Sequence, residues 1–365
     1  MTCRKLSVVM SVFNGERFLR EAVESVLAQS FGDFEFIIIN DGSSDDSAAI
    51  LELYQSMDSR VIVHHQENRG LIDSLNRGCS LAQGTYIARM DADDISLRGR
   101  FASQLEFMDA NPQVAVVGGA VEFIDETGKA LRVAGRPLLH SEIQKVIFDC
   151  GFMWHPTVVM RKEAWARVGG YRQIPHAEDF DLWLRIAEHF QLGNLPQVLL
   201  KYRLHAGQVS VAHCKKQALA AAAVRFSATA RRNGRDDPLD SIVDITPEAL
   251  RQIGVNEAEQ ETSLARAYLS SVRNMYDSGK YELALQILKA TESGELRKAQ
   301  AWTLADLRLC AAKIHWKEKN VGKSLRWATH AVMTRPAILG RPLKPLLTWL
   351  GAGLQFADKR ACFSL

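Results

Sequence analysis

Over the first ninety residues, apolar runs alternate with stretches that are apolar on one side only. Leu6-Ser-Val-Val-Met-Ser-Val-Phe13 and Phe34-Glu-Phe-Ile-Ile-Ile-Asn40 are rich in β-branched and aromatic residues and predict buried strands. Between them, Glu16–Gln29 places Phe18, Leu19, Ala22, Val23, Val26 and Leu27 on one helical face. The second strand breaks at Asp41-Gly-Ser-Ser44, where glycine and small hydroxyls favour a turn, and Ser44 is expected to cap a helix opening on Asp45 and Asp46. Val61–His65, Leu71–Ala82 and Tyr86–Met90 continue as strand, helix, strand. Units this short joined in this order predict parallel strands with right-handed crossovers, a nucleotide-binding type of half-domain.

Beyond residue 94 the pattern is mixed. Val114–Val117 and Ala120–Ile124 read as strands, and Asp125-Glu-Thr-Gly128 as a hairpin turn into Leu131–Val133. Ser141–Phe148 reads as helix, His155–Met160 as strand, and Lys162–Val168 as a helix stopped by Gly169-Gly170. A helix opening on Glu178-Asp179 and a strand over Val198–Leu204 complete this part. From Lys215 on the pattern is helical. Tyr281-x-x-Ala-Leu285 and Val321-x-x-Ser-Leu325 suggest a repeat with a period of roughly 40, tetratricopeptide-like or an ordinary helical appendage. The expected organisation is therefore residues 1–212 as a catalytic domain and 213–365 as an all-α C-terminal region. Segment 335–365 mixes leucines and Trp349 with five basic residues, which suits either an interfacial helix on an anionic leaflet or a terminal helix packed on the core.

Composition narrows the class. The 365 residues are 47% hydrophobic and 24% charged, as in a globular protein, and the net charge of +3 is too small to argue for nucleic acid. Six scattered cysteines without a C-x-x-C spacing disfavour zinc and favour a reduced, cytoplasmic setting. No secretory leader and no apolar run of roughly 20 residues is expected. The first strand is not followed by G-x-G-x-x-G, which disfavours a dinucleotide fold. Gly322-Lys-Ser324 is no P-loop, because position 317 is lysine.

The chemistry concentrates at Met90-Asp-Ala-Asp-Asp94, directly after the fourth strand. The C-terminal edge of an open α/β sheet is where ligands bind, and Asp91 and Asp93 project to one side of an extended chain. Three adjacent carboxylates repel unless a cation sits among them, and oxygen-only donors suit Mg²⁺ or Mn²⁺.

Val8-Val-Met-Ser-Val-Phe-Asn-Gly-Glu16, Asn40-Asp-Gly-Ser43, Asn68-Arg-Gly70, Met90-Asp-Ala-Asp-Asp94, Glu178-Asp179 and Tyr202-Arg-x-His205 occur in one order. That ordered set resembles the family 2 inverting glycosyltransferases over about residues 5 to 210. The resemblance implies a GT-A fold, a Rossmann-like mixed sheet flanked by helices. It also implies a metal-dependent transfer of sugar from a nucleotide-sugar donor, a UDP-sugar, to a glycan or lipid-linked acceptor.

It implies roles too. Asp93 ligates Mn²⁺ or Mg²⁺, with Asp91 as a ribose or water-mediated partner and Ala92 in the same loop. Asp94 is more readily read as a cap. Asp179 is the general base and Glu178 binds acceptor hydroxyls, unless both acids simply favour the helix start. Asp41 accepts from the uracil N3–H and Phe13 walls the base. Ser11, Asn14 and Glu16 line the first loop near ribose. Arg69 contacts phosphate or base unless it is only solvated, and His205 lies near the metal or diphosphate unless it is a structural hydrogen-bonder. Trp154 and His155 stand at the acceptor wall or only pack.

Surface polysaccharide synthesis is the family's commonest outlet, which would place the protein in the cytoplasm, peripheral on the inner membrane leaflet. Two other readings compete. A phosphatase would carry Asp-x-Asp on its first strand, with Thr or Val where Ile95 stands. A non-catalytic adaptor would use the helical tail, with a protein partner and a vestigial sugar-nucleotide site.

Overall fold

The computed structural model describes residues 4–148, 151–205, 214–277, 279–292 and 296–340. The chain divides into two compact units, ending and beginning at residues 205 and 206. The boundary expected at 212/213 and most of the basic tail lie outside the described residues.

In the first unit, β1 (Leu6–Val12), β2 (Phe34–Asp41), β3 (Val61–Gln66) and β4 (Tyr86–Met90) pair in parallel, in the spatial order β3-β2-β1-β4. β2 is buried along its whole length and β1 at all but one residue, as strands covered on both faces require. Helices α1 (Glu16–Leu27), α2 (Ser47–Met57) and α3 (Leu71–Leu81) connect them. α1 buries Leu19, Ala22, Val23 and Val26, the stripe its spacing predicts. α2 begins at Ser47, two residues later than expected, and its cap position is Asp46 and not Ser44.

The sheet then turns antiparallel. β8 (Val159–Arg161) pairs with β4 and with β6 (Val114–Ile124), and β7 (Ala130–Ala134) forms the expected hairpin with β6. β9 (Gln191–Arg203) runs parallel to β6, and β5 (Ile95–Ser96) pairs antiparallel with the far end of β9. β6 is one strand where the pattern suggests two. Its pairing with β9 shifts register at three places, bulges of the kind that bend a sheet. A Cβ on Gly119 would come within 2.3 Å of the Leu199 side chain, which packs over the bare glycine there. This curl brings the end of β9 beside β5, which follows β4 by four residues.

Helices α4 (Arg100–Ala110), α5 (His140–Val146), α6 (Lys162–Arg167) and α7 (Glu178–Ile186) complete the unit. α4 is absent from the pattern reading, and His155–Thr157 is a 3₁₀ turn where a strand is expected.

In the second unit, α8 (Cys214–Arg232), α9 (Pro247–Ile253), α10 (Glu257–Asp277), α11 (Tyr281–Glu292), α12 (Ala301–Lys317) and α13 (Val321–Thr334) are all helical. α11 and α13 start 40 residues apart, and α10 to α12 share a core with Leu269, Leu288 and Ile314. No helix of the described residues is long and apolar enough to cross a membrane.

Candidate active site

The acidic turn leaves β4 at Met90 and enters β5 at Ile95. One ligand oxygen from each of Asp91, Asp93 and Asp94 lies within 4.8 Å of the others, the one group of this kind among the described residues. Asp94 does not cap a helix: a strand follows it, and α4 opens six residues later. It is 1% exposed, accepts the Arg203 main-chain N–H at 2.9 Å through Oδ1, and its buried Oδ2 has no hydrogen-bond partner. Asp93 is hydrogen-bonded through Oδ2 to His205 Nε2 at 2.9 Å. Asp91 pairs with Arg89, whose side chain is 5% exposed. Burial and the neighbouring carboxylate of Asp93 raise Asp94 well above the ordinary aspartate range. Burial also raises Asp91, against the pull of Arg89. Clustered carboxylates that resist ionisation, one with an orphaned buried oxygen, are a fit for a divalent cation with oxygen ligands.

The second acidic pair opens α7. Three acids stand in its first turn, and they differ. Asp181 is fully buried between Arg172 and Arg185, the latter at 2.8 Å, and the Arg185 fork also reaches the Gly170 carbonyl at 2.7 Å. That lock fixes the helix start. Glu178 and Asp179 have no such cation. Burial and the Asp179 charge push Glu178 up to about 7, and burial raises Asp179, partly offset by the Phe180 N–H donating to Oδ1 at 2.7 Å. Arg89 favours the ionised form of both, and Asp91 opposes it in Asp179. The two acidic groups are thus close enough to act on one another's charge.

A stability test isolates Glu178. Its acid is favoured by burial, so this contribution is complete below about pH 4.5 and is lost as pH rises through 7. At ~1.4 kcal/mol per pKa unit that is about 3 kcal/mol. Glu178→Gln should therefore match the wild type at pH 4.5 and exceed it by about 3 kcal/mol at pH 8 in urea unfolding. Equal pH profiles would refute the buried-acid assignment.

The first loop is stapled to the second. Asn14 Oδ1 accepts the Ser44 N–H at 2.8 Å and Asn14 N–H donates to Ser43 Oγ at 3.0 Å. Glu16 Oε2 accepts from Asp46 N–H at 2.9 Å, and Glu16 N–H donates to Asp45 Oδ2 at 3.0 Å. Asn14 and Glu16, expected near ribose, thus spend these groups on loop geometry. Asp41 is 2% exposed and closes the next turn: Oδ1 accepts from Gln66 at 2.7 Å and the Arg69 N–H at 2.9 Å, and Oδ2 from the Gly70 N–H at 2.8 Å. Gly42, at φ +74°, lets this turn approach Asn68, where a Cβ would meet the main-chain nitrogen at 2.8 Å. Of about four carboxylate acceptor positions, three are taken. Phe13 is 53% exposed at the end of β1, Ser11 and Ala92 are half-buried, and the Arg69 side chain is exposed.

Trp154 is half-buried, packed on Phe123 and Tyr202 with the Arg136 guanidinium 3.6 Å from its ring. His155 is packed in the interior. It is 9% exposed, bonded to the Tyr171 hydroxyl at 2.9 Å and set against Trp183, and burial holds it neutral, well below the usual histidine range. Arg89, the cation paired with Asp91, is the residue of this cluster that sequence reasoning passes over. Its signal is a lone cation inside the apolar strand Tyr86-Ile-Ala-Arg-Met90, two residues before Asp91.

Residues 7–169 match the family described as Glycosyl transferase family 2. The chain is 33% identical over 204 residues to the O-antigen biosynthesis glycosyltransferase WbnJ of Escherichia coli, covering 55% of this chain and 80% of that one. It is 34% identical over 208 residues to the amylovoran biosynthesis glycosyltransferase AmsE of Erwinia amylovora, covering 56% and 78%. Among solved structures, TarS 1–349 of S. aureus in complex with UDP-GlcNAc superposes with a TM-score of 0.50 at 14% identity, over 89% of this chain and 90% of that one, a likeness of fold.

Proposed function

This chain belongs to glycosyl transferase family 2 and has a GT-A fold, and we propose that it moves a sugar from a UDP-sugar to a hydroxyl of a glycan or lipid-linked acceptor with inversion. The observation that supports the reading is the carboxylate cluster itself, one oxygen from each of Asp91, Asp93 and Asp94 within 4.8 Å of the others, with the buried Asp179 near enough to feel the Asp91 charge.

Asp91, Asp93 and Asp94 would hold Mn²⁺ or Mg²⁺. When bound, such an ion supplies Lewis-acid stabilisation of the charge on a departing diphosphate. Asp179 takes the proton from the acceptor hydroxyl as its oxygen attacks opposite the leaving group. A carboxylate raised by burial is a stronger base than a solvated one, which suits that task near neutral pH. Glu178, beside it, binds acceptor hydroxyls. Phe13 offers its face to the base, and Asp41 keeps one acceptor position for the uracil N3–H while holding Arg69 and Gly70 in place. His205 orients the Asp93 carboxylate. The relatives' surface-glycan assignments support an outlet in surface polysaccharide assembly.

A thermal-shift screen of nucleotide-sugars with Mn²⁺ present, followed by a UDP-release assay on the stabilising donors, tests the reading. We expect a UDP-sugar to raise Tm only with the cation. A shift by no donor and no UDP release with any glycan or lipid-linked acceptor would overturn it.

A further inference from the structure

We propose that Arg203 is a positioning residue: a guanidinium brace that holds the Asp93–Asp94 turn in its cation-binding shape. The inference rests on the reading above for what the brace serves, but its geometry is independent of that reading. Arg203 is the last residue of β9 and is 2% exposed. Its main-chain N–H donates to Asp94 Oδ1 at 2.9 Å, and its Nε donates to the Asp93 carbonyl oxygen at 2.9 Å. Nη1 reaches the carbonyl oxygens of Asp125 and Glu126, both at 3.4 Å, in the turn between β6 and β7. Nη2 pairs with the Glu21 carboxylate on α1, and the guanidinium lies 4.5 Å from the centre of the Phe18 ring. One side chain therefore ties the acidic turn to a hairpin turn and to a helix.

The surroundings make the brace stiff. His205 is two residues further on, bonds the Asp93 carboxylate and packs against the same Phe18 at 5.2 Å between ring centres. Asp93 is thus held twice, by its carbonyl from Arg203 and by its carboxylate from His205. On the other side of the turn, α1 presents Glu21 and Ser25 on one helical face, and Gln29 follows just past its end. Ser25 Oγ accepts the Ser96 N–H at 2.9 Å, and Gln29 donates to Ser96 Oγ at 3.2 Å and the Leu97 carbonyl at 2.8 Å. Three adjacent carboxylates push the turn open. A planar fork with several donors in fixed directions resists that opening, which a single ammonium cannot do. Arg203 donates no group to the cation, so its effect appears in how well the turn is preorganised for one.

The test uses the full-length chain with Arg203→Gln and Arg203→Lys. Mn²⁺ binding is read directly by electron paramagnetic resonance of free Mn²⁺, in the presence of UDP, and transfer is measured across a Mn²⁺ titration. Arg203→Gln is expected to weaken Mn²⁺ binding by about 10- to 100-fold, the usual scale for a residue that orients metal ligands, with turnover recovering toward wild type at saturating Mn²⁺. Arg203→Lys, which keeps the charge and loses the fork, should lose about tenfold, and it carries the test if the glutamine variant does not fold. Wild-type Mn²⁺ affinity in a folded variant, or a turnover loss that no Mn²⁺ concentration recovers, would overturn the brace. A wild-type protein that binds neither Mn²⁺ nor any nucleotide-sugar would instead sink the glycosyltransferase reading of the site.

Discussion

Asp179→Asn is expected to lower turnover by at least about a hundredfold, the usual scale of general-base loss, with donor affinity near that of the wild type. The structure makes this a clean substitution. Asp179 Oδ1 accepts the Phe180 N–H at the start of α7, and an amide oxygen in the same place can accept it equally well. The lock that sets the helix, Asp181 between Arg172 and Arg185, is untouched. What the amide cannot do is take a proton. The wild-type rate should also fall on acidification through a pKa above the ordinary aspartate range, because the raised carboxyl must ionise to act. Kinetics at saturating donor check both points, and near-normal turnover of Asp179→Asn would remove it as the base.

Asp93→Ala is expected to abolish cation-dependent donor binding. Of the three turn carboxylates, Asp91 is already paired with Arg89 and Asp94 already accepts from Arg203, so Asp93 is the one whose hydrogen-bonding partner is a histidine side chain. Residues that merely orient metal ligands are worth about 10- to 100-fold in metal affinity, so losing a ligand itself should exceed about a hundredfold. Calorimetric titration of UDP with and without Mn²⁺ reads the effect. The alanine variant should bind UDP equally weakly in both conditions. Retained enhancement by Mn²⁺ would move the ligand role to Asp91 and Asp94.

These two residues were legible in different ways. Asp93 stands at the end of a strand whose apolar run, Tyr86 to Met90, marks it as central, and a strand end at a sheet edge is a site on general grounds. Asp179 opens a helix, where an acid is unremarkable, and only the ordered set of motifs singled it out. The same pattern placed Asp181 in the same helical turn without distinguishing it. Arg185 is its i,i+4 neighbour on the same helix, but its burial against Arg172 comes from a segment outside that helix, which a linear reading does not join to it.

Strand and helix identity from Leu6 to Met90 followed from local alternation, because a strand covered on both faces and a helix covered on one leave unmistakable patterns. Elements held by distant partners did not follow. α4 carries Arg100 and Gln104 in its buried face, so its amphipathic signature is blurred. Arg100 is fully buried because it donates to the main-chain carbonyls of Arg89 at 2.8 Å and Val158 at 3.3 Å. Asp94 reads as a cap from its neighbours and becomes a buried acceptor only because β9 curls back beside β5.

The chain's linear order of residues thus determined which chemistry is present: carboxylates at a strand end, a pair of acids at a helix start, and the family that uses them. Tertiary structure alone decided which of those acids are free to act. Charge neutralisation and hydrogen-bond satisfaction depend on what lies across space: Arg185 and Arg89 are close in sequence to the aspartates they pair with, whereas Arg172 and Arg203 reach Asp181, Asp94 and Glu21 from outside the elements that carry them.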